Sequence, residues 1–216
     1  MAQAFPTWIF TKGELAITGS LFATYPAYTI LFSLGINHES LTLIQWGCIA
    51  LTLLGTIIVS LPSRITKKDL SQSKLALYPI IAAIGVGFSD ALSRRIIVQT
   101  SAQAFMLALA LTQFPVAIAF LRLENQSLSQ FINVFRKWKA YQYSVMASFL
   151  MALVLLTLFL AFAYAPASIA APITGSYPAL LVILAAIFFK ETFSIKSISG
   201  ICLVLLGVIG IGYYSG

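Results

Sequence analysis

Residues 165–192 have the sequence APASIAAPITGSYPALLVILAAIFFKET, an apolar stretch with three prolines and no charge before Lys190. The hydrocarbon core of a bilayer, about 30 Å thick, takes roughly 20 apolar residues in a helix. The stretch is therefore long enough to cross a membrane. Its prolines would interrupt the helix, because each removes a backbone hydrogen bond. Inside a membrane, such an interruption is tolerated where neighbouring helices or a polar cavity satisfy the freed backbone groups.

The rest of the chain has the same apolar character. Of its 216 residues, 60% are hydrophobic and 9% are charged, whereas about 25% are charged in an ordinary soluble domain. This composition excludes a soluble globular protein. The net charge of +7 would suggest nucleic-acid binding in a soluble chain. Here the basic residues flank apolar segments and are interpreted as signals of membrane orientation, so no nucleic-acid partner is expected.

Seven apolar segments predict an all-α integral membrane protein with about seven transmembrane helices. The segments exceed the 9–11 residues of a transmembrane β-strand and lack its alternating pattern, so helices are expected rather than a barrel. The predicted spans are Glu14–Ile36, Leu41–Leu61, Leu75–Ser93, Ala102–Leu121, Tyr143–Tyr164, Ala167–Phe189 and Ile195–Tyr213.

Residues that could support catalysis or metal binding are sparse. Cys48 and Cys202 lie inside apolar runs, and the single histidine, His38, has no Cys or His neighbour at metal-ligand spacing. The sequence has no phosphate-binding motif of the G-x-x-x-x-G-K-[ST] type, and no polar connection long enough for an ATPase domain. We therefore predict no metal, no cofactor and no enzymatic activity.

An internal repeat is the most informative feature of the chain. A shift of 152 residues aligns 10–60 with 162–212 without a gap, and twelve of the 51 aligned positions are identical. The identities include the triplet Tyr-Pro-Ala at 25–27 and 177–179, Glu39 with Glu191, and Gly55 with Gly207. Apolar bias alone would match Leu with Ile but would not align these residues in one register. The pattern indicates a duplication.

The repeat also predicts how the chain is divided. Residues 75–216 would form a complete five-helix unit, and residues 1–61 the last part of another, joined by a basic loop at 62–74. By this register we expect about 77 further residues, or two to three helices, before residue 1. The expected parent is a ten-helix protein of two inverted repeats. A truncated fragment, non-functional or dependent on assembly, is the alternative to a true short form.

Several motifs together resemble the drug/metabolite transporter superfamily, EamA type. They are Ala165-Pro166 through Pro172, then Tyr177-Pro178, then Phe189-Lys190-Glu191-Thr192, followed by the glycine-rich segment 200–208. Ala91-Leu92-Ser93-Arg94-Arg95 is similar to the basic end of the family's sixth helix. The resemblance implies a secondary transporter that moves small organic metabolites by alternating access between two five-helix repeats.

The substrate path is predicted at the matched prolines Pro26 and Pro178. Helix interruptions at corresponding positions of two repeats indicate the binding site in transporters of this kind. Asp90 is the only acidic residue inside a predicted span, and a carboxylate there is a candidate for proton or substrate coupling. The alternatives are that the prolines only bend helices and that Asp90 pairs with Arg94, one turn away. The other candidates for this path are polar side chains nearby, Tyr25, Tyr28, Gln113, Thr174, Ser176 and Tyr177.

Six further residues are predicted to be structural. Glu39 and Glu191 each precede a helix, and we expect them to cap that helix by favouring its positive N-terminal end. Gly55 and Gly207, with Gly47 and Gly200, are expected to let helices approach closely.

The expected partners are the lipid bilayer, a small-molecule substrate and a second copy of the chain as a homodimer. The expected location is the plasma (inner) membrane. A seven-helix receptor is disfavoured because it would not explain the repeat. A membrane enzyme is disfavoured because it would need clustered His, Asp, Ser or Cys. Basic residues concentrate in alternate connections and predict an external C-terminus, whereas the family resemblance implies a cytoplasmic one.

Overall fold

The computed structural model describes residues 21–60, 73–123, 138–189 and 194–214, and all regular secondary structure within these ranges is helical. The prediction of an all-α fold is confirmed. In chain order the helices are α1 (Tyr25–Ile36), α2 (Leu43–Ser60), α3 (Ser73–Gln99), α4 (Ala102–Leu123), α5 (Trp138–Tyr164), α6 (Ala167–Gly175), α7 (Tyr177–Phe189) and α8 (Ile195–Tyr214).

Within the described ranges, five stretches are long and apolar enough to cross a membrane. They are Leu43–Ser60, Ala102–Ala119, Tyr141–Tyr164, Ala167–Leu184 and Ile195–Tyr214. The fourth of these combines α6 with part of α7, so the two short helices are halves of one span. The other two predicted spans correspond to α1, an apolar helix of 12 described residues, and α3, which is 27 residues long and contains Asp90, Arg94 and Arg95. The chain is a multi-pass membrane protein.

The helices form two compact units. The first comprises 1–95 and 165–216, and the second comprises 96–164. This grouping differs from the division by sequence repeat, because α1, α2 and the first part of α3 pack with α6, α7 and α8 across the repeat boundary.

Glycines set the distance between α2 and α8 in the first unit. A Cβ atom added to Gly55 would lie 2.7 Å from the carbonyl oxygen of Gly200, and one added to Gly207 would lie 2.6 Å from that of Cys48. Both distances are shorter than real contacts, so this crossing requires small residues. Gly47, by contrast, is exposed, and a Cβ added to it would meet none of the described residues within 4 Å. The expectation that Gly47 takes part in close helix packing is therefore wrong.

The contacts of α2 with α8 follow the 152-residue shift. Gly55 contacts Val204 as well as Gly200, and Gly207 contacts Thr52 as well as Cys48. Adding 152 to 48, 52 and 55 gives 200, 204 and 207. The crossing is therefore nearly two-fold symmetric, with each helix presenting equivalent positions to the other.

Helix α1 packs closely against α3. Gly87 on α3 is the point of nearest approach, since an added Cβ would lie 2.6 Å from the backbone nitrogen of Thr29. One turn further, the rings of Phe32 and Phe88 meet edge to face with centroids 5.3 Å apart. Near the end of α1, the Asn37 side-chain amide donates a hydrogen bond to the Ala91 carbonyl (3.1 Å).

Helices α2 and α8 each supply their own N-terminal caps. The backbone N–H of Thr42 donates to the side chain of Gln45 (2.8 Å), and the Gln45 N–H donates to the Thr42 hydroxyl (3.3 Å). This is the reciprocal arrangement of a capping box. At the start of α8, the Ser197 N–H donates to the Ser194 hydroxyl (3.0 Å).

Glu39 caps a different helix from the one expected. Its carboxylate accepts hydrogen bonds from the backbone N–H groups of Ala167 (2.9 Å) and Ser168 (3.0 Å) and from the Ser168 hydroxyl (2.5 Å). These groups begin α6, which is 128 residues away in the chain. The expectation that Glu39 caps α2 is wrong, because Thr42 and Gln45 already satisfy the start of that helix. Glu191 lies outside the described residues.

The second unit is built on α4 and α5. The rings of Phe105 and Phe159 meet edge to face with centroids 5.0 Å apart, and Phe162 is fully buried. Most other apolar side chains on these two helices are exposed, including Phe114 and Phe149. Their exposure suits contact with lipid rather than with water.

Candidate functional site

Two helix breaks with the same local geometry lie in the first unit. Thr24 precedes α1 with φ −79° and ψ −6°, and Ser176 separates α6 from α7 with φ −79° and ψ 0°. Each hydroxyl donates to the carbonyl three residues earlier, from Thr24 to Leu21 (2.7 Å) and from Ser176 to Ile173 (2.6 Å). The new helix then begins with Tyr-Pro at both breaks, where proline is well tolerated because the first turn has no internal acceptor for its missing N–H.

The two breaks meet within the first unit. Pro26, at the start of α1, is fully buried, and its ring occupies the space that a Cβ on Gly175 would fill. Gly175 is the last residue of α6. The two interruptions are therefore in contact, and a larger side chain at position 175 would separate them.

Hydroxyl groups collect around this meeting point. The side chain of Tyr25 is buried and faces the hydroxyl of Thr174. The carboxyl group of Asp90 and the phenol of Tyr177 lie nearby. Thr174 donates its own hydrogen to α6 carbonyls, those of Ala170 and Ala171 (both 3.0 Å). Its oxygen lone pairs are left to accept from another group. Tyr177 is 41% exposed and marks the outer edge of the cluster.

Asp90 contributes a carboxylate to the same region. Its side chain is 7% exposed, and Oδ2 accepts a hydrogen bond from the hydroxyl of Thr29 (3.2 Å), itself fully buried. This partner belongs to a different helix. Arg94 has Glu39, which follows α1, as a charged neighbour. A carboxylate at this depth is costly to bury, and residues of this kind mark ion and substrate pathways in membrane proteins.

The sequence profile of one transporter family matches residues 73–213, more than half of the chain; its description is "EamA-like transporter family". The chain belongs to the EamA-like transporter family. The resemblance found in the sequence motifs is thereby confirmed, and with it the assignment of the chain to a family of membrane transporters.

A similar fold is found among solved structures. One, described only as a crystal structure of a protein, superimposes with a TM-score of 0.70 and 15% sequence identity. The match covers 99% of this chain and 72% of the other. At this identity the likeness concerns the fold alone. No curated protein matches the sequence.

The structure of this EamA-like chain brings together part of the predicted path. Tyr25, Asp90, Thr174 and Tyr177 lie in one cluster, with Pro26 and Pro178 at the two breaks. The remaining candidates are placed differently. The Cβ of Tyr28 packs against Gly87, and the Ser176 hydroxyl donates to the Ile173 carbonyl within the local turn. Gln113 is exposed on α4 in the second unit.

Three polar residues near this cluster are absent from the path that the sequence predicts. Thr29, Ser33 and Asn37 follow Tyr25 at intervals of four residues along α1. A period of four places side chains on one face of a helix, and this signal could have identified them.

The polar groups of the cluster formed by Tyr25, Asp90, Thr174 and Tyr177 suit hydrogen bonding rather than metal coordination. Among the described residues, no three His, Cys, Asp or Glu side chains come together as a metal site. The cluster offers phenols, hydroxyls and one carboxylate. Such groups can bind a small polar molecule or exchange a proton with it.

Proposed function

We propose that this chain forms part of a secondary transporter that moves small organic metabolites across the plasma (inner) membrane by alternating access. The observation that carries the proposal is the buried carboxylate of Asp90 beside hydroxyl groups where two helix breaks meet. The substrate would lie between Tyr25, Thr174 and Asp90, with Tyr177 at the edge. Amino acids, amines and drug-like amphiphiles have the hydrogen-bonding groups that such a site can recognise.

Alternating access receives support from the repeated geometry. The two breaks share their dihedral angles and their hydroxyl-to-carbonyl bonds, and the α2–α8 crossing follows the 152-residue shift. This symmetry supports a duplication with one complete unit at 75–216 and part of another at 1–61. The family match over residues 73–213 covers nearly the same range as the proposed complete unit. Two related units that can rock about a shared site are the usual basis of alternating access.

The test is a transport screen with the chain reconstituted in proteoliposomes. A panel of amino acids, amines and organic acids is applied while charge movement or radiolabel uptake is recorded. We expect at least one compound to give a signal, and we expect Thr174→Val to reduce it tenfold or more. Thr157→Val is the matched control, because the Thr157 hydroxyl is bonded only to carbonyls of its own helix. Equal transport by both variants would contradict the site.

A homodimer is part of the same proposal. The exposed apolar faces of α4 and α5 are available to lipid or to a second copy. Single-molecule photobleaching of a labelled chain in bilayers counts its copies. Two bleaching steps support the dimer, and a predominance of one step contradicts it.

A further inference from the structure

Four polar side chains follow one face of α1. Tyr25, Thr29, Ser33 and Asn37 recur every four residues, from the helix break to the residue that ends the helix. The first three are buried and Asn37 is half-buried. A polar stripe of this kind is expensive within a membrane helix unless it has a partner.

The partner of this face is α3. Thr29 donates to Asp90, and Asn37 donates to the carbonyl of Ala91, so the stripe is bonded to α3 at its second residue and at its last. Ser33 lies between them on the same face and is 0% exposed. Among the described residues its hydroxyl oxygen has no hydrogen-bond partner. Buried hydroxyls are nearly always satisfied, and an ordered water is a common partner where the protein supplies none.

The spacing of the stripe suits water. With a rise of 1.5 Å per residue, side chains four residues apart are separated by about 6 Å along the helix. A direct hydrogen bond spans only about 2.8 Å between oxygens, so neighbouring hydroxyls cannot reach each other. Two such bonds through one water cover the distance. A water between Thr29 and Ser33 would also have the Asp90 carboxylate in reach, which gives it the two to four partners that a buried water needs.

We propose that Ser33 binds water and completes a route by which protons reach Asp90 from the Asn37 end of α1. Each hydroxyl or water along the route accepts a proton from one neighbour while releasing another to the next. The final step breaks a water O–H bond and forms an O–H bond on the Asp90 carboxylate. The proposal rests on the proposed function, in that Asp90 exchanges a proton during transport.

Charged and titratable groups lie near the route on α1, α3 and α7 and in the connection after α1. Tyr25 on α1 and Tyr177 on α7 are the phenols near Asp90. Arg94 lies one turn further along α3, where the Glu39 carboxylate offsets its charge. At the end of α1, Arg95 donates to the carbonyl of Ile36 (3.1 Å). The positive charges of Arg94 and Arg95 thus lie near the Asn37 end of the route. Thr29, which is bonded to the proton acceptor Asp90, lies eight residues from Asn37, or about 12 Å along α1.

The experiment measures how fast the protonated carboxyl of Asp90 exchanges hydrogen for deuterium. Infrared difference spectra of the full chain in nanodiscs are recorded after a switch to D₂O, and the Asp90 carbonyl band is assigned by its loss in Asp90→Asn. Ser33→Val removes the hydroxyl. Ser33→Thr keeps a hydroxyl on a side chain that has the same shape as valine. We expect Ser33→Val to slow the exchange at least tenfold and Ser33→Thr to stay within threefold of the parent.

The outcomes separate the route from the transport function. Equal exchange rates in Ser33→Val and Ser33→Thr overturn the route, as does the absence of any Asp90 carboxyl band between pH 4 and pH 9. Ser148→Val is the control for a distant hydroxyl, since Ser148 is exposed and bonded to its own helix. Where Ser33→Val fails to insert, Ser33→Ala replaces it. The two proposals can also fail separately. If Thr174→Val reduces transport but the Asp90 carboxyl of Ser33→Val exchanges hydrogen at the parent rate, the route is overturned and the proposed function stands.

Discussion

At the residue scale, one hydrogen atom links Asp90 to the helix break. The Thr29 hydroxyl lies 3.2 Å from Oδ2 of Asp90 and 3.3 Å from the carbonyl oxygen of Tyr25, but it has only one hydrogen to donate. An ionised Asp90 attracts that hydrogen more strongly, because hydrogen bonds to charged acceptors are the stronger ones. A protonated Asp90 can itself donate to Thr29, which frees the hydrogen for the carbonyl at the start of α1. Protonation of Asp90 would therefore change the hydrogen bonding of the break.

The first prediction concerns this carboxylate. Asp90→Asn keeps the shape and the hydrogen-bonding capacity of the side chain but cannot gain or lose a proton near neutral pH. We expect it to abolish flux driven by a pH gradient while leaving counterflow exchange of substrate within threefold of the parent. Proteoliposomes loaded with the compound found in the transport screen provide both measurements. Gradient-driven flux like that of the parent would show that Asp90 is not the coupling residue.

The second prediction concerns the approach of α1 to α3. Gly87→Ala should lower the free energy of unfolding by about 1–3 kcal/mol, since overpacking a tight contact forces the helices apart. Gly85→Ala is the matched control on the same helix. An added Cβ there meets nothing within 4 Å, and alanine favours the helix by up to about 1 kcal/mol. Chemical unfolding in mixed micelles compares the two variants. Equal effects would contradict the close approach at Gly87.

At the element scale, the two breaks depend on Tyr-Pro at the start of a helix. Thr24 and Ser176 each supply the hydroxyl that satisfies a carbonyl before the break, and the next residues begin a new helix. The proline prevents the new helix from extending backwards, because its nitrogen has no hydrogen to donate. The meeting of Pro26 with Gly175 then joins the two breaks within the first unit.

The third prediction removes both prolines. Pro26→Ala combined with Pro178→Ala should reduce the rate of transport tenfold or more, while the amount of inserted protein stays within twofold. Alanine at position 178 allows α6 and α7 to join into one continuous helix, which closes the proposed site. Pro115→Ala is the control, because Pro115 lies inside α4 and is exposed. Unchanged transport kinetics in the double variant would show that the prolines serve only to bend helices.

The fourth prediction concerns the cap of α6. Glu39→Ala removes three hydrogen bonds from the start of that helix and should lower the free energy of unfolding by about 2 kcal/mol, the scale of a charge-assisted cap. Glu39→Gln keeps one acceptor oxygen and should lose about half as much. Ser199→Ala, which removes an exposed hydroxyl bonded to its own turn, should change stability by less than about 0.5 kcal/mol. A Glu39→Ala loss no larger than this control would mean that the cap is energetically unimportant.

At the scale of the whole molecule, composition and the lengths of the apolar segments are sufficient to predict the helices, and the resemblance of the motifs in 165–208 is sufficient to predict the family. Apolar segments need lipid, and lipid requires helices, so few alternatives existed. The partner of Glu39 could not be predicted, since it lies 128 residues away and depends on how α1 and α6 pack. The bond from Thr29 to Asp90 was missed for a similar reason, because it joins two helices whose register is set by Gly87. Sequence spacing indicates which side chains share a helix face but not which helix that face meets.

The same packing bears on how the chain crosses the membrane. Bonds of Asn37, Glu39 and Arg95 place the connection after α1, the later part of α3 and the start of α6 at one end of the first unit. The side chain of Gln45, at the start of α2, donates to the backbone carbonyl of Tyr214 (3.1 Å), which places the end of α8 at this end too. The C-terminal end of α8 therefore shares a side with Arg94 and Arg95.

The fifth prediction assigns that side. By the alternation of the seven predicted spans, eleven basic residues are expected in the connections at the opposite side, namely Lys12, Arg64, Lys67, Lys68, Lys74, Arg122, Arg136, Lys137, Lys139, Lys190 and Lys196. Basic residues in short connections mark the cytoplasmic face, so we predict an external C-terminus against the orientation that the family resemblance implies. Alkaline phosphatase, which is active only outside the cytoplasm, should be active when fused after Gly216. The control is a fusion within 62–74, which should be inactive. A stably inserted chain with the reverse pattern of activity would show that the basic residues of the connections do not set the orientation. The topology implied by the family would then hold.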